Sequence, residues 1–351
     1  MELEPHPRRH VDAGDALDPF HADRPARHAF LAAGNPRSVL EAAAASIQRG
    51  HRGVLALVLE TEGSTYAGVG DMVLFDDDLQ AGWLSGGCLE PQLARRARHV
   101  ADSGGIDWIE IDTRSDDDLL AGSALGCRGR LRIAMLPLQS LPGIDATLDA
   151  WLRNGVALRA CIDADGAVAF QAGSQRAQWR LDSGNQAWSG GNDAWQVSLP
   201  RLPRLLIFGA GPETATLVPL LRELGWWICL AERRARWSGV GSSADACLHG
   251  APTAALQEAG ADAALAMHHD FELDREALDA LAVTDIDFIG LLGPRRRRDD
   301  LFKLLTPGQR DALVPRLRSP VGLDLGGRGP QAIALSIAAQ LQQWRALVAV
   351  A

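Results

Sequence analysis

Two short stretches concentrate the residue types that do chemistry. The first is Ser85-Gly86-Gly87-Cys88-Leu89-Glu90. Paired glycines free the backbone just before a thiol, and the thiol stands ahead of a helical pattern whose N-terminal field stabilises a thiolate. Cys88 is therefore a candidate soft-metal ligand, nucleophile or sulfur carrier, with Gly86, Gly87 and Glu90 beside it. A small cysteine buried at a tight turn is the plain alternative. Cys127 repeats the theme in Leu125-Gly126-Cys127-Arg128-Gly129. There Arg128 could pair with an anion or lower the thiol pKa; a simple turn into the next strand is the alternative.

The second stretch, Arg204 to Arg233, reads RLLIFGAGPETATLVPLLRELGWWICLAER. A short apolar run ends at Gly209-Ala210-Gly211, then an amphipathic helix and a second apolar run lead to Glu232. That is the layout of a βαβ dinucleotide-binding unit. Glycines turn the chain so that N–H groups at a helix start face a phosphate, and an acidic side chain about 20 residues on suits a ribose hydroxyl. Thr214 replaces the third glycine. A sheet that keeps the turn without the ligand is the competing reading.

Three further loops in the same half carry polar groups. Met267-His268-His269-Asp270 follows a strand, where His269 with Asp270 could hold a phosphate or move a proton. Gly293-Pro294 leads into the arginine run Arg295–Arg298, which invites phosphate or merely solvates a helix face. Asp324 lies in the glycine-bearing loop Ser319–Gly327. No HExxH, Walker A or G-x-S-x-G pattern is present, so peptidase, NTPase and α/β-hydrolase readings lack support.

The elements that must position these residues divide the chain. Met1–Pro36 is rich in His, Arg, Asp and Pro and reads as a disordered extension without a signal-peptide core. Residues 37–200 alternate irregularly. A helix is expected at Ser38–Arg49, and strands at Gly53–Glu60, Gly70–Asp76, Ala81–Ser85, Asp107–Asp112 and Arg130–Leu136. Further helices fall at Glu90–Ser103 and Asp145–Asn154, and a hairpin turns at Asp165-Gly166. Residues 201–351 alternate strand and helix regularly, which means a parallel sheet covered on both faces. The fold class is thus α/β: a C-terminal Rossmann-like, doubly wound parallel sheet plus an N-terminal α+β domain.

The composition narrows the function classes. The 351 residues are 47% hydrophobic and 23% charged, ordinary for a globular protein of two domains. A net charge of −9 argues against general nucleic-acid binding. No apolar run approaches the roughly 18 residues of a membrane span. Five scattered cysteines without a CxxC pair argue against a disulfide framework or structural zinc and for a reducing, cytoplasmic setting. Cys161, Cys229 and Cys247 lie in apolar runs and are expected in the core.

Taken together, the motifs resemble the XdhC/CoxI family. The ordered set is GSTYAGVGDMVL (63–74), SGGCLE (85–90), LGCRG (125–129), LIFGAGPE (206–213), AERRARW (231–237), MHHD (267–270), IGLLGPRRR (289–297) and SPVGLDLG (319–326). The resemblance implies a chaperone without turnover of its own. Such proteins bind the molybdenum cofactor (molybdopterin or its dinucleotide form) and protect it while a terminal sulfido ligand is installed. They then insert it into an apo-molybdoenzyme of the xanthine dehydrogenase/aldehyde oxidase type. A cysteine desulfurase, a molybdopterin nucleotidyltransferase and a homodimer belong to the same expectation.

The resemblance aligns Cys88, Cys127, Gly209, Gly211 and Glu232 with family positions; with the loop residues Gly86, Gly87, Glu90, Arg233, His269, Arg295 and Asp324 they are the expected cofactor-binding set, Cys88 at the molybdenum end. Soft sulfur favours such a metal. The ligand is expected to bridge the domains, its phosphate end at Gly209–Gly211 and its metal end near Cys88. Two other functions compete. An NAD(P)-dependent oxidoreductase would use the same glycine turn, with His269 or a thiol as proton donor. A redox or nucleotide sensor would use Cys88 and Cys127 as a reversible pair.

Overall fold

The computed structural model describes residues 36–114, 128–183 and 192–348. Nearly all of the expected N-terminal extension, and Cys127, lie outside them.

The N-terminal domain begins with α1 (Pro36–Arg49), followed by β1 (Val54–Gly63), β2 (Met72–Phe75), β3 (Gln80–Ala81), α2 (Glu90–Ser103), β4 (Asp107–Asp112) and β5 (Gly129–Pro137). These strands form an antiparallel sheet in the order β3-β2-β1-β5-β4. Period-two side-chain alternation explains why β1 is an apolar run. Leu55 and Leu57 join one core with α1, while Val54, Ala56 and Val58 join another with Leu93, Ala97 and Val100 of α2. The expected strand at 81–85 shrinks to β3, because Gly82 takes a positive φ of 90° and turns the chain away.

Next come α3 (Ile144–Arg153), β6 (Leu158–Asp163), β7 (Ala167–Ala172), β8 (Gln175–Arg180) and β9 (Ala194–Leu199). The strands form a second antiparallel sheet, β8-β7-β6-β9, whose inner residues Ala160, Ile162, Phe170 and Val197 complete the core under α1 and α3. The sequence reading misses β8 and β9. β8 is an edge strand with mostly solvent-facing residues, so it carries little apolar signal.

The C-terminal domain contains β10 (Arg204–Phe208), α4 (Thr214–Glu223), β11 (Trp227–Ala231), β12 (Ala246–Leu248), α5 (Pro252–Ala259) and β13 (Ala263–Ala266). It continues with α6 (Phe271–Leu281), β14 (Phe288–Leu291), α7 (Arg295–Phe302), α8 (Pro307–Leu313), β15 (Leu317–Arg318) and α9 (Pro330–Val348). Its six strands are all parallel, in the order β12-β11-β10-β13-β14-β15. This is the doubly wound order, with its switch point between β10 and β13. Leu205 and Ile207 pack against α4 and α9, whereas Leu206 and Phe208 pack against α5 and α6. The short α8, held by a Thr306–Gln309 capping box, and β15 are absent from the sequence reading.

The domains meet at the amino edge of the parallel sheet. Arg37 of α1 donates to the Trp226 carbonyl and to Asp245, which precede β11 and β12. Arg222, near the end of α4, reaches Glu41 at 2.9 Å, and Arg204 donates to the Arg153 carbonyl at 2.6 Å. The glycine turn lies at the other end of β10, a span of about 13 Å for five residues.

Candidate functional site

At the N-terminal domain, the chain leaving β3 passes Met72 and Val73 closely at Gly82 and then forms the Cys88 loop. The β1–β2 loop and the Cys88 loop thus share one end of the antiparallel sheet. The loop is braced from within. Glu90, only 3% exposed, accepts the N–H groups of Leu84 (2.9 Å) and Ser85 (3.0 Å) and the Ser85 hydroxyl. The Ser85 Oγ in turn accepts from the N–H groups of Gly87 (3.0 Å) and Leu89 (3.1 Å). Burial alone would raise the Glu90 carboxyl, but these donors hold it below the ordinary carboxylate range.

Gly87 adopts φ 104°, a conformation L side chains avoid, and a Cβ at Gly86 would meet open space. The result is an exposed Cys88 thiol on a turn braced by hydrogen bonds. Trp83 and Tyr66, each 52% exposed, and Val69 are large apolar side chains left in solvent on the same two loops. An accessible thiol with open space before it fits a soft metal end, and the aromatic faces fit a flat heterocycle.

The second cluster occupies the switch point of the parallel sheet. Gly209, at φ 87°, lies against His268 so closely that a Cβ would stand 2.6 Å from the His268 Cα. Glu232 is turned into the turn itself. Its Oε2 accepts the Ala210 N–H at 2.7 Å, and Arg234 binds both of its oxygens, Nε at 2.9 Å and Nη2 at 2.6 Å. Burial alone would raise its carboxyl, but Arg234 and the backbone donors hold it down to about 2. Arg234 also donates to the carbonyls of Ala210 and His268. The Gly211 N–H goes to Thr214 Oγ1 at 2.9 Å.

Glu213, 4% exposed, places Oε2 at 3.2 Å from His269 Nε2. His269 is the only non-glycine residue with positive φ among the described residues, at 54°. Behind it, buried His268 sets Nδ1 3.1 Å from Asp274 Oδ1, and Arg297 donates to Asp274 Oδ2 at 2.7 Å.

The structure therefore gathers Gly209, Gly211, Glu232 and His269 around the turn after β10, and Gly86, Gly87, Cys88 and Glu90 in one loop. No hydrogen bond or ion pair among the described residues joins the two. Arg233 points instead to Glu276 of α6, and Asp270 caps α6 through the N–H groups of Glu272 and Leu273. Arg295 starts α7 and is exposed, as is Asp324 after β15. Cys161 and Cys229 are buried as expected; Cys247 is exposed, because β12 is the sheet's edge strand.

Glu213, Arg234 and the His268–Asp274–Arg297 array were not singled out from sequence. A glutamate directly after the glycine turn, where a phosphate loop avoids negative charge, was the available signal for the first.

Comparison with known proteins follows the same division. A family model described as the XdhC Rossmann domain matches residues 205–341, and one described as the XdhC and CoxI family matches residues 46–111. The chain is 27% identical over 326 residues to a probable xanthine dehydrogenase subunit of Bacillus subtilis, covering 85% of this chain and 94% of that one. It is 24% identical over 322 residues to the molybdenum cofactor insertion chaperone PaoD of Escherichia coli, covering 88% of each. A crystal structure described as a xanthine dehydrogenase from Bacillus halodurans matches with TM-score 0.69 and 28% identity, covering 87% of this chain and 95% of the other.

Proposed function

This chain belongs to the XdhC and CoxI family, and on that premise we propose that it carries the molybdenum cofactor to an apo-molybdoenzyme of the xanthine dehydrogenase/aldehyde oxidase type. The relative that is a molybdenum cofactor insertion chaperone, aligned along most of both chains, supports the reading. The observation that carries it is the exposed Cys88 on its braced glycine loop.

In this reading Cys88 holds the metal end of the cargo. Gly86 and Gly87 let the cargo approach the backbone, while Glu90 and Ser85 fix the loop and do not touch it. Trp83 and Tyr66 cover the flat ring system and keep water off it. Cargo held so is protected while a cysteine desulfurase supplies sulfur, and is released when the target enzyme docks. The oxidoreductase reading loses its footing at the glycine turn, where the chain's own Glu232 and Thr214 already take two amide donors.

The test is metal and pterin analysis of the full chain purified from a molybdenum-replete host, with activation of an apo-molybdoenzyme as the second readout. Wild type is expected to carry both molybdenum and pterin. Cys88→Ala is expected to lose at least tenfold of both cargo and activation with an unchanged melting temperature. A wild-type protein that is empty and takes up no cofactor in vitro overturns the proposal.

A further inference from the structure

A cavity of about 360 Å³ opens between the β2–β3 turn and α2, at the end of the antiparallel sheet opposite the Cys88 loop. The four residues of β2, about 13 Å, separate the two places. Its origin is local. Ala94, Ala97 and Ala101 recur at spacings of three and four, so one stripe of α2 carries no large side chain. Phe75 and Leu79 face that stripe and complete an apolar floor. The acidic turn forms the opposite wall and is held in shape. Asp76 turns inward, and its Oδ1 accepts the N–H groups of Asp78 and Leu79 at 2.8 Å each. Arg52 ties the two walls together, donating to Asp77 Oδ1 of the turn at 3.2 Å and to Asp102 Oδ1 of α2 at 2.8 Å.

Two charges lining this cavity are left over. Arg98 of α2 is exposed and makes no hydrogen bond or ion pair among the described residues. The Asp78 carboxylate is 74% exposed, and its one ion-pair partner among the described residues is His51, with Nε2 at 3.7 Å. We propose that the cavity binds a small zwitterion with an apolar body, of the class of free aromatic and branched-chain α-amino acids. Arg98 takes the carboxylate and Asp78 the ammonium group, each by a charge-assisted contact. The alanine stripe, Phe75 and Leu79 take the side chain. The volume sits at the low end of the roughly 300–1,000 Å³ of small-molecule sites, which selects a small ligand. A phosphate would face Asp77 and Asp78 with one free arginine, and a simple amine would face Arg98; like charges set against each other are costly. The zwitterion satisfies both walls. Gln80 of β3 and Ala94 of α2 line the cavity, so the occupant touches the element that enters the Cys88 loop and the one that leaves it. Any effect on cargo rests on the function proposed above; the binding itself does not involve Cys88.

Isothermal titration of the full chain with L-phenylalanine and L-leucine tests this, each beside its analogues lacking the ammonium or the carboxylate group. At least one of the two amino acids is expected to bind at millimolar concentration or below, and at least tenfold more tightly than either of its analogues. Arg98→Ala is expected to weaken that binding at least tenfold and Asp78→Asn at least threefold, both with the melting temperature of wild type. Ala94→Trp, which fills the void, is expected to abolish it. Cys88→Ala is expected to bind as wild type does. No binding of either amino acid, affinity untouched at Arg98 or Asp78, or analogues that bind as tightly as the parent overturns the proposal. Because Cys88→Ala is scored for cargo loss in the earlier test and for retention here, the two proposals fail separately.

Discussion

Arg37 and Asp245 lie 208 residues apart and form the buried clasp between the two domains, Nη1 to Oδ2 at 3.1 Å. Arg37 is 2% exposed and also donates to Glu41 and to the Trp226 carbonyl. Asp245 further accepts the Ile228 N–H at 2.7 Å and contacts Arg222. One charge pair thereby ties α1 to the starts of β11 and β12. Burial opposes the charge on Arg37, yet Asp245 and Glu41 raise its pKa, so it stays protonated.

Replacing Arg37 by Met leaves the partly buried Asp245 with Arg222 as its remaining cation. Breaking a buried pair from one side costs about 3–5 kcal/mol. We expect the urea midpoint to fall accordingly. We also expect the antiparallel and parallel domains to unfold in separate transitions, resolved by comparing tryptophan fluorescence with far-ultraviolet circular dichroism. A single unchanged transition would show that the clasp does not couple the domains.

Glu232 makes the protein acid-sensitive in a defined window. Its carboxyl is lowered from an ordinary 4.5 to about 2, so its contribution is complete above pH 4.5 and disappears as the pH falls toward 2. A shift of that size corresponds to about 3 kcal/mol. Glu232→Gln should destabilise the protein by a similar amount at pH 7. The difference between wild type and variant should close between pH 4.5 and 2, as read by denaturant titration at each pH. A gap that persists at pH 2 would place the stabilisation elsewhere.

The two glycines of the turn should respond unequally to alanine. At Gly209 the new Cβ meets the His268 backbone at 2.6 Å, and φ is 87°, so Gly209→Ala should cost roughly 3 kcal/mol. At Gly211 it meets only the tips of Glu213 and His269, at 2.7 and 2.9 Å, which can rotate away. Gly211→Ala should cost roughly 1 kcal/mol and separate those two side chains. Melting temperatures of both variants check the order, and equal losses would contradict it.

Thiol accessibility gives a prediction free of any partner. Cys88 and Cys247 are exposed, whereas Cys161 and Cys229 are buried, and burial pushes the Cys229 thiol up to about 12. Iodoacetamide at neutral pH should label Cys88 first and Cys247 next, leaving Cys161 and Cys229 untouched until the protein is denatured. Peptide mapping by mass spectrometry reads the order. Early labelling of Cys229 would mean that β11 is not where the fold has it.

Much of the parallel domain was legible from the chain. β10 through β14 are apolar runs between helices of 3.6-residue period, and a doubly wound sheet covers both faces of each strand. Every strand interior is then apolar, and most boundaries carry a glycine, proline or acidic residue, as Pro203 and Gly209 do for β10. Glu90–Ser103 is equally plain, with Pro91 in its first turn and Gly104 at its end. β8 was not legible, since an edge strand of Gln, Arg and Trp with one solvated face has no periodic apolar signature.

The site divides along the same line. Sequence alone determined that glycine turns, a thiol and an acidic residue occur in this order and spacing, because those are local properties of the chain. It did not determine where each side chain is spent. Only the tertiary structure decided that Glu232 faces inward to Ala210 and Arg234. The same holds for Glu213, which stands over the turn with His269, and for the domain junction at the opposite edge of the sheet. Those outcomes depend on which donors and acceptors meet across distances of 22, 56 and 208 residues. A buried polar group takes whichever partner the packing brings, and packing is not a property of neighbours in sequence.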